Sequence, residues 1–359
     1  LRPSLASQSL LSLSRLPPTS LATLERLSKS DHSLNHLQHK LLATTLERGA
    51  DDLIKSLTPR DQAMVRSSAG DSYGFNTTPS NTTLLLSNSQ FSVAASRRLL
   101  CPIYDPSVPN PICPRCGDSM DCLGDHTLLC TNAGLAVRTK SWHDRLNRCF
   151  AYVLRLNGAT ADLETSPPIP SHLPNKRADI MIRAETPFSQ DTICDTRTAV
   201  STQPSMVHQA ATLDGHAAKQ AQTGKISSWG TIPQHTNCLF APLVIEDGGR
   251  PGLILKNIIN KTISSHVSDN GRIAAQTFAW QLISIANLKG VADTILLNPS
   301  PTPPDGHTIG SFYRNPLILD LPPMTTPSST VPPLPLRLST PRPSPLWTGR
   351  DAPPPTPPP

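Results

Sequence analysis

Aromatic side chains are scarce in this sequence: they make up 4% of 359 residues, and hydrophobic residues of all kinds reach only 37%. Both values are low for a chain of this length packed throughout, so part of it is expected to remain outside any core. No apolar run reaches membrane length and no signal peptide is present, which argues against a membrane partner. The initiator Met is missing too: the chain begins Leu1-Arg2-Pro3, as expected of a fragment or an incomplete gene model. Cysteine occurs 8 times, but not as a secreted disulfide framework. An intracellular, reducing compartment fits better. In excess are proline, 39 residues or about twice the usual share, and positive charge, +6 net. A basic balance suits an anionic partner such as nucleic acid without requiring one.

Leucines recur at helical spacing from Leu21 to Leu57, predicting two or three amphipathic helices broken near Ser30–Ser33 and at Gly49, with Pro59 ending the last. Residues 66–88 read as a loop. Ser87 and Gln90 have capping-box spacing for a helix carrying Phe91, Ala94, Ala95, Arg98 and Leu99. Beyond the cysteines, Trp142, Leu146, Cys149, Phe150 and Val153 share one helical face, and Asn157-Gly158 is a stop. Strands are predicted over Ala161–Thr165, Ala178–Arg183, Thr192–Val200 and Cys238–Glu246. Helices are predicted over residues 205–229, with Met206, Ala210, Leu213 and Ala217 inward, and over Asn270–Leu288, burying Ile273, Phe278, Leu282 and Ile285. From Asn298 the composition turns to Pro, Ser and Thr, predicting disorder or polyproline II, with a Pro-rich ligand for a partner domain as one use.

Cys113-Pro-Arg-Cys116, followed by His126 and Cys130, has the spacing of a tetrahedral zinc site. Cys122 is an alternative ligand. Around it, Gly117, Asp118, Asp121, Gly124 and Asp125 are turn formers, too polar to pack without a cross-link. Arg138, Lys140, Arg145 and Arg148 place positive charge on and around the following helix, either as a solvated face or as a phosphate contact.

Glu164, Asp179 and Asp195 fall on predicted strands, and Lys225 on the next helix. Two carboxylates at strand ends can hold Mg²⁺ against a phosphate, and a nearby lysine can stabilise developing charge. Acids at strand ends are common in α/β domains, so spacing alone leaves this open.

Taken together, these stretches resemble the C-terminal region of reverse-transcriptase proteins from non-long-terminal-repeat retrotransposons. That region carries a Cys-Cys-His-Cys knuckle and a restriction-like PD-(D/E)XK endonuclease domain. The resemblance rests on Gly124-Asp125-His126-Thr-Leu-Leu-Cys130, Lys176-Arg177-Ala178-Asp179, Asp195, Lys225-Ile-Ser-Ser-Trp229 and Phe240-Ala-Pro242-Leu-Val-Ile-Glu246-Asp-Gly248-Gly249. It covers roughly residues 60–290. It implies structural Zn²⁺ at Cys113, Cys116, His126 and Cys130, and catalytic Mg²⁺ at Asp179 and Asp195. Glu164 would assist and Lys225 would face the scissile phosphate.

The chain departs from the pattern at three points. Arg197 stands where the simplest motif has Lys, Trp229 replaces a Tyr, and Ala178 stands where a Pro-Asp pair has Pro. No Tyr-x-Asp-Asp polymerase motif is present.

The expected fold class is α/β. A helical segment over 1–100 and a zinc knuckle over 101–133 precede an endonuclease domain over 134–297, with a small central sheet flanked by helices. A disordered Pro-rich tail follows over 298–359. The expected function is a Mg-dependent module nicking target DNA to prime reverse transcription. DNA or RNA would be the partner and the nucleus the site of action. The alternatives are an inactive zinc-stabilised nucleic-acid-binding module and a non-enzymatic scaffold.

Overall fold

Three short strands in meander order and a fourth returning parallel to the third form the centre of the molecule. The computed structural model describes residues 49–69, 73–76, 82–104, 112–113, 116–130, 142–167, 176–185 and 187–296. The leucine-rich helices expected before Leu46, Arg138, Lys140 and the Pro-rich tail lie outside the described residues. All described residues belong to one unit, Leu1–Leu319, and a second unit, Asp320–Pro359, lies outside them.

Residues 49–56 are helical. Helix α1 spans Pro59–Ser68, α2 Tyr73–Asn76, α3 Asn88–Arg98, α4 Asp125–Leu129 and α5 Asp144–Leu156. Then come β1 (Ala161–Leu163), β2 (Ile180–Ile182), β3 (Thr192–Ala199), α6 (Val207–Ala210), α7 (His216–Trp229) and α8 (Ile232–His235). The described chain closes with β4 (Leu239–Glu246), α9 (Leu253–His266) and α10 (Asp269–Leu296). The four strands lie in the order β1-β2-β3-β4, antiparallel up to β3, with β3 and β4 parallel. A parallel neighbour needs a crossover, and α6, α7 and α8 supply it. Pro242 is tolerated because β4 is an edge strand, where a missing N–H costs no ladder bond.

Alternation along the strands sorts side chains onto two faces. On one, Ile180, Ile182, Cys194, Leu243 and Ile245 meet Leu146, Phe150 and Leu154 of α5, Leu255, Ile259 and Ile263 of α9, and the apolar side of α10. Phe150, Leu146 and Leu154 are fully buried, and each such side chain stabilises the fold by about 1.5–3 kcal/mol. On the other face, Met181 and Ile193 meet Trp229 and Ile232, while Ala199 and Val244 meet Ala217, Ala218 and Ala221 of α7.

Several expectations change. Pro59 does not only end a helix; it opens α1, with Thr58 as N-cap accepting from Asp61 N–H. The capping box of Ser87 and Gln90 forms, but α3 turns Val93, Ala94 and Arg97 inward and leaves Phe91 and Leu99 exposed. The helix expected over 205–229 is interrupted after Ala210, and Leu213 is exposed in the break. Helix α10 continues past Leu288 to Leu296, and Ile273, in its solvated first turns, is 77% exposed. Gly290 lies in that extension, where a Cβ would stand 2.1 Å from Trp142 Cδ1. The glycine is the notch that admits the indole. Helix α9 was not expected at all.

A buried ion network ties α1, α3, the cysteine segment and the sheet together. Arg97 donates to Asp125 Oδ1 at 2.9 Å and to Asp247 Oδ2 at 2.8 Å, while Arg60 Nε donates to Asp125 Oδ2 at 2.6 Å. Burial would raise the Asp125 pKa, but the two guanidiniums hold it below the usual carboxylate range. Among the described residues no helix is long and apolar enough to cross a membrane.

Candidate active site and metal centre

The cysteine segment folds as a knuckle. Ile112 and Ser119 form a bridge, Cys113 N–H donates to Asp118 O, and Gly117 N–H returns to Cys113 O. Asp121 accepts from the N–H groups of Leu123 and Asp125 with Oδ1 and from that of His126 with Oδ2, fixing the start of α4. These turns bring Cys113, Cys116, His126 and Cys130 together, with all four ligand atoms within 4.8 Å of one another.

Cys113 Sγ and Cys130 Sγ are 3.8 Å apart. A disulfide needs about 2.05 Å. Two sulfurs about 2.3 Å from one zinc at the tetrahedral angle stand about 3.8 Å apart. The Cys3His donor set and this edge length therefore fit zinc. Cys116 Sγ also lies 3.2 Å from His126 Nε2 and accepts from Asp118 N–H. The Asp118 N–H draws the Cys116 thiol pKa down, but desolvation and the neighbouring thiols push it up to about 12. Cys122 is not in the set; its carbonyl accepts from Ile103 and Tyr104.

Strand register explains how acids far apart in sequence meet. Leu163 pairs with Ile180, and Ile180 with Cys194. One residue further, Glu164 N–H donates to Asp179 O and Asp179 N–H to Cys194 O. Glu164, Asp179 and Asp195 thus form a row across the sheet, on the face that β3 turns toward α7. From α7, Lys225 Nζ reaches Asp195 Oδ1 at 2.7 Å and Trp229 Nε1 reaches Asp195 Oδ2 at 2.6 Å. Thr196 N–H donates to Asp179 Oδ2 at 2.7 Å, and His143 Nε2 lies 3.1 Å from the same oxygen.

No family model and no curated protein matches the chain.

The two aspartates feel each other's charge, and their surroundings move their pKa values in opposite directions. Burial raises the Asp179 pKa, but His143 and the Thr196 N–H outweigh it, leaving a carboxyl that ionises more readily than usual. Burial also raises Asp195, and the Asp179 charge adds to this. Lys225 and Trp229 pull the other way without cancelling it. Burial lowers the His143 pKa, but Asp179 and Asp144 raise it further, favouring the imidazolium.

The other expected residues are placed less centrally. Glu164 sits at φ 54°, which ends β1; its carboxylate is exposed and paired with Arg177 at 3.3 Å. Arg145 turns inward to Asp293 at 2.6 Å, so of the three arginines of α5, Arg148 alone is exposed. Arg197 is exposed, with one terminal nitrogen near Gly224 of α7. Trp229 stacks on Phe240 at 5.1 Å, and Lys176 lies over its ring and donates to Ser228 O.

Sequence reasoning missed His143. The available signal was its position: it directly precedes the apolar face of α5, at the helix start. Its neighbour Trp142 enters the Gly290 notch and donates to Asn287 Oδ1 at 3.0 Å, which fixes the turn that presents His143.

Proposed function

We propose that this chain is a fragment of a retroelement protein, a metal-dependent endonuclease module that nicks target DNA in the nucleus to leave a 3′ hydroxyl primer. The observation that carries the reading is the meeting of Asp179, Asp195 and Lys225, all partly buried, on the face of the sheet that α7 covers. The succession of Asp179 just before β2, a loop, Asp195 within β3 and Lys225 on α7 suits a restriction-like nuclease.

Asp179 and Asp195 offer the hard oxygen donors that suit magnesium. A bound magnesium ion supplies positive charge at the phosphate and makes a coordinated water more acidic. Lys225, held against Asp195, would face the scissile phosphate. His143 and the Thr196 N–H favour the anionic form of Asp179, while burial and the Asp179 charge make Asp195 the harder of the two to ionise. Glu164 assists from the outer end of the row. Arg148, Arg177 and Arg197 are exposed and supply sequence-independent attraction for the phosphate backbone. Structural zinc in the knuckle positions nucleic acid rather than taking part in the chemistry. The test is conversion of supercoiled plasmid to nicked circles in Mg²⁺. Asp179→Ala and Asp195→Ala should each abolish it, and undiminished nicking by both would sink the assignment.

A second reading is favoured by one observation: Lys225 and Trp229 occupy both Asp195 oxygens. In it the fold binds nucleic acid but does not cut, as an inactive zinc-stabilised module. Salt-sensitive DNA binding without nicking in Mg²⁺ would select it.

A further inference from the structure

The helix that brings Lys225 and Trp229 to Asp195 lacks a cap of its own. Helix α7 follows Gly215, at φ 71°, which has no side chain to accept from first-turn amides. The Ala218 N–H is taken instead by Glu246 Oε1, at 2.9 Å, from the end of β4. A serine or aspartate at the cap position makes this same bond. Glu246 is 2% exposed, so water does not compete for it.

The face that α7 lays on the sheet is smooth. Ala217, Ala218 and Ala221 lie against Ala199 and Val244. Alanines permit close approach, but they give few ridges to stop a helix sliding along its axis. Axial register is therefore set at the two ends, where Trp229 is also seated against Met181, Ile193 and Phe240. Lys225 and Trp229 to Asp195 form one set of bonds, and Glu246 to Ala218 forms the other.

The end of β4 also reaches the opposite side of the cluster. Glu246 O accepts from Asn287 Nδ2 at 3.2 Å, and Asn287 Oδ1 accepts from Trp142, next to His143.

We infer that Glu246 is a positioning residue: by capping α7 across the fold, it sets Lys225 and Trp229 in register with Asp195. The catalytic consequence rests on the nuclease reading, but the positioning itself does not. Charged groups facing Glu246 are Asp247 beside it and Arg250 in the turn.

The test uses indole N–H resonances of the full chain. In Glu246→Ala, the Trp229 indole should shift, and its exchange with solvent should accelerate by about tenfold, the effect of losing a helix cap. Glu246→Gln keeps the acceptor oxygen and should restore wild-type behaviour. The Trp280 indole should not move in either. If Glu246→Ala does not fold, Glu246→Asp, which withdraws the carboxylate by one methylene, should show the same displacement in smaller degree. A Trp229 resonance and exchange rate unchanged in a folded Glu246→Ala or Glu246→Asp overturns the proposal, whatever the protein does to DNA. In nicking, Glu246→Ala should lower kcat by a similar factor with KM unchanged, and Glu246→Gln should rescue it. An indole that moves as expected in a protein whose wild type does not nick leaves the positioning intact and removes the nuclease reading.

Discussion

Glu246 should make this fold lose stability as pH rises from about 4.5 to neutrality. Burial comes first in pushing its pKa up to about 7 from 4.5, and the Asp247 charge adds to it. The Ala218 N–H, Ser67 and Arg250 pull it back only in part. Below about pH 4.5 the carboxyl is protonated in folded and unfolded chains alike, and it carries no penalty. Between about 4.5 and 7 the folded chain keeps a proton that the unfolded chain has lost, so stability falls with rising pH. Above that window the folded state bears the full cost of the buried charge, about 3 kcal/mol. Glu246→Gln keeps an acceptor for Ala218 N–H and cannot ionise. Urea unfolding of both proteins from about pH 4 to about pH 8 isolates the term, because other titrating groups are common to both. The difference in unfolding free energy should swing by about 3 kcal/mol in favour of Glu246→Gln, roughly a hundredfold in the folded-to-unfolded ratio. A difference that stays constant across the window would refute the reasoning.

Three further outcomes follow from the site and its supports. Metal analysis should find one zinc per chain, retained in Cys122→Ala and lost in Cys130→Ala, since the Cys122 sulfur lies outside the ligand group. Arg97→Met strands Asp247, whose side chain is fully buried. It should cost about 3–5 kcal/mol by chemical denaturation, the usual penalty for removing one partner of a buried pair. NMR titration of His143 should give a pKa above the ordinary 6.5, falling when Asp179 is changed to Asn. The stability gained from that imidazolium is present below about 6.5 and is lost as pH rises through the raised value.

Local features were legible in the sequence and long-range ones were not. The knuckle could be read because its ligands lie within one short stretch and their spacing alone sets the geometry. The inner face of α5 was readable from the helical period, and its stop from Asn157-Gly158. The acid row depends on strand register, a property of pairing between segments far apart in the chain. Asp179 and Asp195 could be proposed but not brought together. His143 and Glu246 act through contacts with other elements, so no local pattern marks them. Helix α9 shows Leu and Ile at adjacent positions from Leu253, a run in which an apolar period does not stand out. The extension of α10 runs through Gly290, a poor helix former whose local cost is offset by the seating of Trp142. Arg145 looked like part of a basic face because its partner, Asp293, lies on a distant helix.

The central claim is that the Asp179–Asp195–Lys225 cluster cuts a phosphodiester. Its most direct test is single-turnover nicking of supercoiled plasmid in Mg²⁺ by the wild type and Asp195→Asn, with DNA affinity measured in parallel. The account predicts that Asp195→Asn binds DNA as tightly as the wild type and nicks it at least about a hundredfold more slowly. Equal nicking rates in the two proteins would contradict it.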